Sequence, residues 1–401
     1  MSEIYYAKIL NKELLNFECL LNEMELRSLG FRGCKYNKKK GLQISSINGN
    51  NLDTLKERAT FISSVNNIMT NYCVITQKKY KQNPNLFLTH WFYYYKGKFY
   101  PRLVRSLINI IKLRKDDTLM DPFMGSGTAA IEAQTLGINF IGLDVSPLCK
   151  IITDAKASSI YCIDEIERVQ DILSKYYCNF KFINRDYYYN LLNELTDEYA
   201  AKCFFTLVRL NALKYVLDTS KYSMAYSYYT DNMISYLKYF DYVRNYLNLK
   251  LGMAVSYPID SRQGMEFIEN DSIDGIITSP PYFNALNYLD NEKLALLDLN
   301  FDDKPIRNNF IGLRQNTSDV YCEYENDLFK VYSGMYRCMK KNKYAVIIIG
   351  NNYFKGKSVR NTESNINAMN KSGFRLVENI PTDPYLNNKS VFRENILIFQ
   401  K

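Results

Sequence analysis

The chain holds a single histidine, His90, in 401 residues, and its nine cysteines form no CxxC pair. Zinc sites need three or four ligands at close spacing, so no metal is expected. An odd cysteine count without secretory features reads as reduced thiols. No run of 18 apolar residues occurs, and the opening MSEIYYAKILNKELL lacks the apolar core of a signal peptide. Neither export nor a membrane association is therefore expected, and the expected location is the cytoplasm. Internal repeats and low-complexity linkers are also missing.

What is present suits a soluble protein with a sizeable core: 47% apolar and 23% charged residues, with a net charge of +9. A basic excess of this size fits a polyanionic partner, as it fits many proteins without one. The 35 tyrosines read as the composition of an AT-rich genome, although aromatics interleaved with lysine can also stack bases.

Four stretches differ in pattern. Residues 1–85 read as a small α+β segment: a strand at IYYAKIL, a helix stopped at Gly30, then a basic turn over Arg32 to Lys40. The segment carries 13 Lys/Arg against 7 Asp/Glu, a net of 13 − 7 = +6, and is expected to be a basic accessory unit. Residues 86–154 turn to strands alternating with helices: helical spacing over Pro101 to Leu113, a strand at Thr118 to Met120, a helix stopped at Gly137, and a strand at NFIGLDV. Residues 155–250 are long, helical and tyrosine-rich, and read as an insertion that could recognise a target. From 251 to 401 the alternation resumes with DGIIT, AVIIIG and a closing ENILIF. Strand, glycine turn, helix, strand opens a right-handed βαβ unit, so the expected fold is α/β, a doubly wound Rossmann-like sheet with a helical insertion.

Two motifs carry chemistry. The first is Asp121-Pro122-Phe123-Met124-Gly125-Ser126-Gly127-Thr128, a strand-to-helix turn where glycines let a ligand approach the backbone. Asp144 follows Gly125 by 19 residues, the spacing of an acid that accepts hydrogen bonds from ribose hydroxyls. No third glycine completes GxGxxG and no Gly-Lys-Ser/Thr follows, which disfavours a dinucleotide or a nucleoside triphosphate. S-adenosylmethionine, a nucleoside with an amino-acid tail, fits better.

The second motif is Thr278-Ser279-Pro280-Pro281-Tyr282 after the apolar strand Ile273 to Ile277. Prolines end the ladder and leave the Ser279 side chain and the Pro280 carbonyl as acceptors beside the flat face of Tyr282. Such a set suits an amino group on a planar base.

Together these motifs resemble those of the amino-methyltransferases acting on cytosine N4 or adenine N6 of DNA, over about residues 90–155 and 253–401. The resemblance implies S-adenosylmethionine held by Lys98 and Phe99 upstream, by Asp121, Pro122, Phe123, Gly125, Ser126, Gly127 and Thr128, by Asp144 at the ribose, and by Asp260 towards the adenine. It implies Ser279, Pro280, Pro281 and Tyr282 as the catalytic segment, double-stranded DNA as partner with the target base flipped out, and a cognate restriction endonuclease. Serine before Pro-Pro-Tyr points to cytosine N4, with adenine N6 and tRNA guanine N2 as alternatives. Three further features stay open at this stage: His90 as a pocket or a structural residue, Lys78 to Lys81 as a phosphate contact or a solvated face, and Asn284, Asn287 and Tyr288 as shapers of a base pocket.

Overall fold

A computed structural model describes residues 4–10, 14–37, 41–47, 52–283, 288–312, 320–354, 357–383, 385–387 and 390–401. Lys38 to Lys40, Asn284 and Asn287 lie outside the described residues.

The N-terminal unit runs β1 (Ile4–Ile9), α1 (Asn16–Ser28), β2 (Phe31–Asn37), β3 (Gly41–Ser46), α2 (Leu52–Arg58), β4 (Ile62–Val65) and a short β5 (Ile68–Met69). Its sheet order is β2-β3-β1-β4-β5 with antiparallel neighbours, a split βαβ arrangement with one added strand. The expected turn at Arg32 is instead part of β2. Gly33 and Asn37 carry turn propensity, but Phe31 pairs with Ser46 and Asn37 with Gly41, and cross-strand pairing overrides local preference. The unit docks through α1. Buried Glu25 accepts hydrogen bonds from the Thr60 hydroxyl (2.5 Å) and from Asn109 Nδ2 (2.7 Å).

After α3 (Asn71–Ile75) come α4 (Pro101–Ile110), β6 (Thr118–Asp121), α5 (Thr128–Thr135), β7 (Asn139–Asp144) and α6 (Pro147–Ser158). The helices α7 (Ile163–Leu173), α8 (Arg185–Leu195), α9 (Tyr199–Ala212) and α10 (Thr219–Tyr246) form the insertion. The chain then continues through β8 (Ala254–Pro258), α11 (Ser261–Gly264), β9 (Ile273–Thr278), α12 (Tyr288–Asp298), α13 (Asp303–Asn309), α14 (Val320–Cys338) and β10 (Met339–Gly350). It closes with β11 (Asn352–Phe354), β12 (Lys357–Val359), α15 (Asn361–Lys371), β13 (Arg375–Pro381), β14 (Tyr385–Asn387), β15 (Ser390–Phe392) and β16 (Glu394–Gln400).

Seven strands form the central sheet in the order β13-β16-β10-β9-β6-β7-β8, and β16 runs antiparallel to both its neighbours. Side chains alternate across it. Leu119, Ile277, Val346 and Ile348 face α4 and α5, while Met120, Ile276, Ile347 and Ile349 face α14 and α15. Both faces are therefore covered, which explains the near-continuous apolar runs in β9 and β10. From β6 the chain first winds one way to β7 and β8, then returns to β9 on the other side. The carboxyl ends of β6 and β9 thus flank the point where such sheets bind ligands.

α6 crosses the boundary expected at 154/155 and packs against β8, so the extra helices begin only after Ser158. They share one core with the 72–92 segment. A buried ion pair ties them to α12: Arg209 Nε and Nη2 donate to the two oxygens of Asp298 at 2.9 and 2.8 Å. The two side chains are only 2% and 7% exposed. Arg209→Leu strands a buried carboxylate and should cost about 3–5 kcal/mol in denaturant unfolding. A loss under about 1 kcal/mol would mean that the pair is solvated.

Candidate active site at the sheet switch point

The turn after β6 is shaped by two glycines in the left-handed region, Gly125 at φ +50° and Gly127 at φ +68°. A Cβ on Gly127 would sit 2.5 Å from the Thr153 hydroxyl oxygen, so both conformation and space require glycine there. Asp121, fully buried, closes the turn from below. Its Oδ1 accepts from the Phe123 amide (3.0 Å) and from the Thr278 hydroxyl (2.6 Å). Because Thr278 immediately precedes Ser279, this bond ties the glycine turn to the Pro-Pro segment. Burial, reinforced by the charge of Asp144, pushes the Asp121 carboxyl up to about 7.

Asp144 ends β7. Its Oδ2 accepts from the Gly125 amide at 3.0 Å and its Oδ1 from the Ser146 amide at 2.9 Å. Burial raises its pKa while these two amides pull it back. Each oxygen keeps a lone pair for a further donor.

A cavity of about 790 Å³, including its open mouth, joins these elements. Lys98, Phe99, Phe123, Gly125, Ser126, Thr128, Asp144 and Asp260 line it, and so do Ser279 and Pro281 from the other loop. The remaining expected residues lie outside that lining. Asp121, Pro122 and Gly127 belong to the turn's frame, Pro280 is buried and Tyr282 half-buried. The Tyr282 hydroxyl donates to Glu394 Oε1 at 2.8 Å. Asp260 meets the cavity already paired, bonded by Arg262 Nε at 3.0 and 3.1 Å, and Arg262 also reaches Asp327 at 2.7 Å.

The Lys98 ammonium donates to the His90 carbonyl at 2.5 Å. Burial drives its pKa down to about 7 against the opposing pull of Glu132. His90 is wholly buried, bonded to Glu132 Oε1 at 2.9 Å, and burial keeps its ring neutral. It is a structural residue behind Lys98. Lys78 donates to the Ser235 carbonyl (2.8 Å) and hydroxyl (2.7 Å), so this lysine fastens the insertion.

Several contributors carry little or no local sequence signal. Tyr95 backs Gly125 at 3.2 Å from where a Cβ would stand. Lys156, buried on α6, donates to the Ser126 carbonyl at 2.7 Å. Asn309, Phe310 and Ile311 close the far wall. Only Lys156 hinted at itself, as a charge on the buried face of an apolar helix.

Residues 35–154 match the family described as DNA methylase. This segment is similar to the DNA amino-methyltransferases over about a third of the chain. The match contains the glycine turn and Asp144 and starts inside the N-terminal unit, earlier than the expected limit near residue 90. The chain is 40% identical over 90 residues to a type II methyltransferase, M.BsoBI, from Geobacillus stearothermophilus, covering 22% of this chain and 18% of that protein. It is 32% identical over 135 residues to M.MjaII from Methanocaldococcus jannaschii, covering 33% and 25%. It is also 29% identical over 84 residues to a tRNA (guanine(10)-N2)-dimethyltransferase of M. jannaschii, covering 21% and 24%. The similarity thus spans a quarter or less of each of these three relatives' length.

Proposed function

We propose that the protein methylates an exocyclic amino group of a DNA base with S-adenosylmethionine, at cytosine N4. One observation carries this reading: the glycine turn and Asp144 line one cavity with Ser279 and Pro281 at the switch point.

The residues fit the cofactor. Asp144 offers acceptors to ribose hydroxyls, the glycine turn leaves room for the nucleoside, and Lys98 is a cation for the methionine carboxylate. S-adenosylmethionine supplies an electrophilic methyl on a good leaving group. The protein's part is then to prepare the amine. Its lone pair is delocalised into the ring, and N–H acceptance by Ser279 Oγ and the Pro280 carbonyl favours the pyramidal nitrogen of the transition state. Holding it in line with the methyl supplies proximity. A target inside a duplex must be flipped out, at a few kcal/mol, offset in part by ~1–3 kcal/mol of stacking on Tyr282. Adenine N6 presents the same amino group to the same acceptors. We further propose a cognate restriction endonuclease as partner, a cytoplasmic location, and 155–250 with 1–85 as the DNA grip.

The similarity to the tRNA enzyme of M. jannaschii favours a second reading, guanine N2 of tRNA. Methyl-labelled cofactor offered with duplex DNA and with unmodified tRNA separates the two. Label is expected in DNA, and label in tRNA alone would replace the first reading by the second.

Lys98 gives a pH dependence. With its pKa at about 7, the free protein carries a neutral Lys98 above that pH, whereas a bound carboxylate favours the ammonium. Binding above pH ~7 must then take up a proton, so affinity should fall by up to about tenfold per unit as pH rises and level off below it. Calorimetric titrations across this range should show that slope, and Lys98→Met should flatten it. A wild-type affinity independent of pH would show that Lys98 does not meet the carboxylate.

A further inference from the structure

α12 follows the Ser279–Tyr282 segment and is held at two points. Its last residue, Asp298, is gripped by Arg209 and also accepts from the Tyr189 hydroxyl at 2.9 Å. In its middle Glu292, 4% exposed, accepts from the Ser146 hydroxyl at 2.7 Å. Ser146 is the residue whose amide holds Asp144 Oδ1 at 2.9 Å, while the Gly125 amide holds Oδ2 at 3.0 Å. A chain of hydrogen bonds therefore runs from α12, through Ser146 and Asp144, to the glycine turn.

A buried carboxyl is a costly way to fill space, and an apolar side chain would pack α12 more cheaply. The partners also differ between the two acids. Asp144 has two backbone amides to support a negative charge, whereas Glu292 has hydroxyl donors, Ser146 and Tyr95, with Tyr93, Cys149 and Asp144 close by. Burial, and with it the charge of Asp144, pushes Glu292 up to about 7.

We propose that Glu292 is a positioning residue: through Ser146 it fixes the Asp144 carboxylate for the cofactor. This rests on the function proposed above.

The test measures S-adenosylmethionine affinity by calorimetry, with melting temperature alongside, for wild type, Glu292→Leu, Glu292→Gln, Ser146→Ala and the Glu292→Leu/Ser146→Ala double variant. Glu292→Leu and Ser146→Ala should each weaken binding about tenfold, the value of one hydrogen bond to a charged group. Glu292→Gln retains an acceptor for the Ser146 hydroxyl and should stay within about twofold of wild type. The double variant should be no worse than either single one, because both break the same link. Wild-type affinity in folded Glu292→Leu and Ser146→Ala would overturn the proposal. So would additive losses, or a Glu292→Gln variant as weak as Glu292→Leu. Should Glu292→Leu not fold, Ser146→Ala decides alone. A wild-type protein that binds no S-adenosylmethionine would overturn the functional reading itself, whereas wild-type binding with unaffected variants sinks only the role of Glu292.

Discussion

Asp144→Ala should weaken S-adenosylmethionine binding by at least about 100-fold while the protein stays folded. Two charge-assisted hydrogen bonds to the ribose are lost, each worth about 1.5–3 kcal/mol. The Gly125 and Ser146 amides that hold the carboxylate at 3.0 and 2.9 Å lose their acceptor, but the space the carboxylate vacates lines an open cavity that water can enter, so the fold survives. Asp144→Asn separates shape from charge. The amide nitrogen cannot accept from either backbone donor, so this variant should also bind weakly despite its matching volume. Calorimetry gives the affinities and a thermal melt guards against misfolding. Undiminished affinity in Asp144→Ala would remove the acid from the cofactor site.

Tyr282→Ala should cost activity rather than cofactor affinity. The ring is proposed to stack on the flipped base, and losing ~1–3 kcal/mol of stacking slows methyl transfer by about 10–100-fold. The structure adds a refinement: the Tyr282 hydroxyl donates to Glu394 on β16 at 2.8 Å, which orients the ring. Tyr282→Phe should therefore lose a few-fold, the value of one neutral-to-charged bond at a half-exposed site. Steady-state kinetics with saturating cofactor would show the order wild type, Phe, Ala. Equal rates for Ala and wild type would mean that the base is held elsewhere.

The parts read most clearly from sequence are those whose meaning is local. Glycine spacing, the acid at the end of β7 and the Pro-Pro segment each sit beside their own strand, so the strand's position in the sheet carries them to the switch point. The βαβ order followed from alternating periods of two and 3.6 residues, and the helical insertion from an interrupted rhythm. Contacts between distant segments escaped. Thr278 reaching Asp121, Glu292 reaching Ser146 and Lys156 reaching the Ser126 carbonyl are pairs 157, 146 and 30 residues apart, and no periodicity links them. The turn expected at Arg32 failed for the related reason that its strand is created by a partner, β3. Asp260 illustrates a subtler gap: its place was visible, but its pairing with Arg262, two residues on, appears only when side chains are placed.

Nucleoside mass spectrometry directly reads the product of methyl transfer to an exocyclic amine in DNA. Mixed-sequence duplex methylated with labelled cofactor is digested to nucleosides and each labelled species identified. N4-methyldeoxycytidine is the expected product, and N6-methyldeoxyadenosine would move the target base while keeping the amine chemistry. Label on a ring carbon, as in 5-methyldeoxycytidine, would contradict the account, and so would DNA that carries no label.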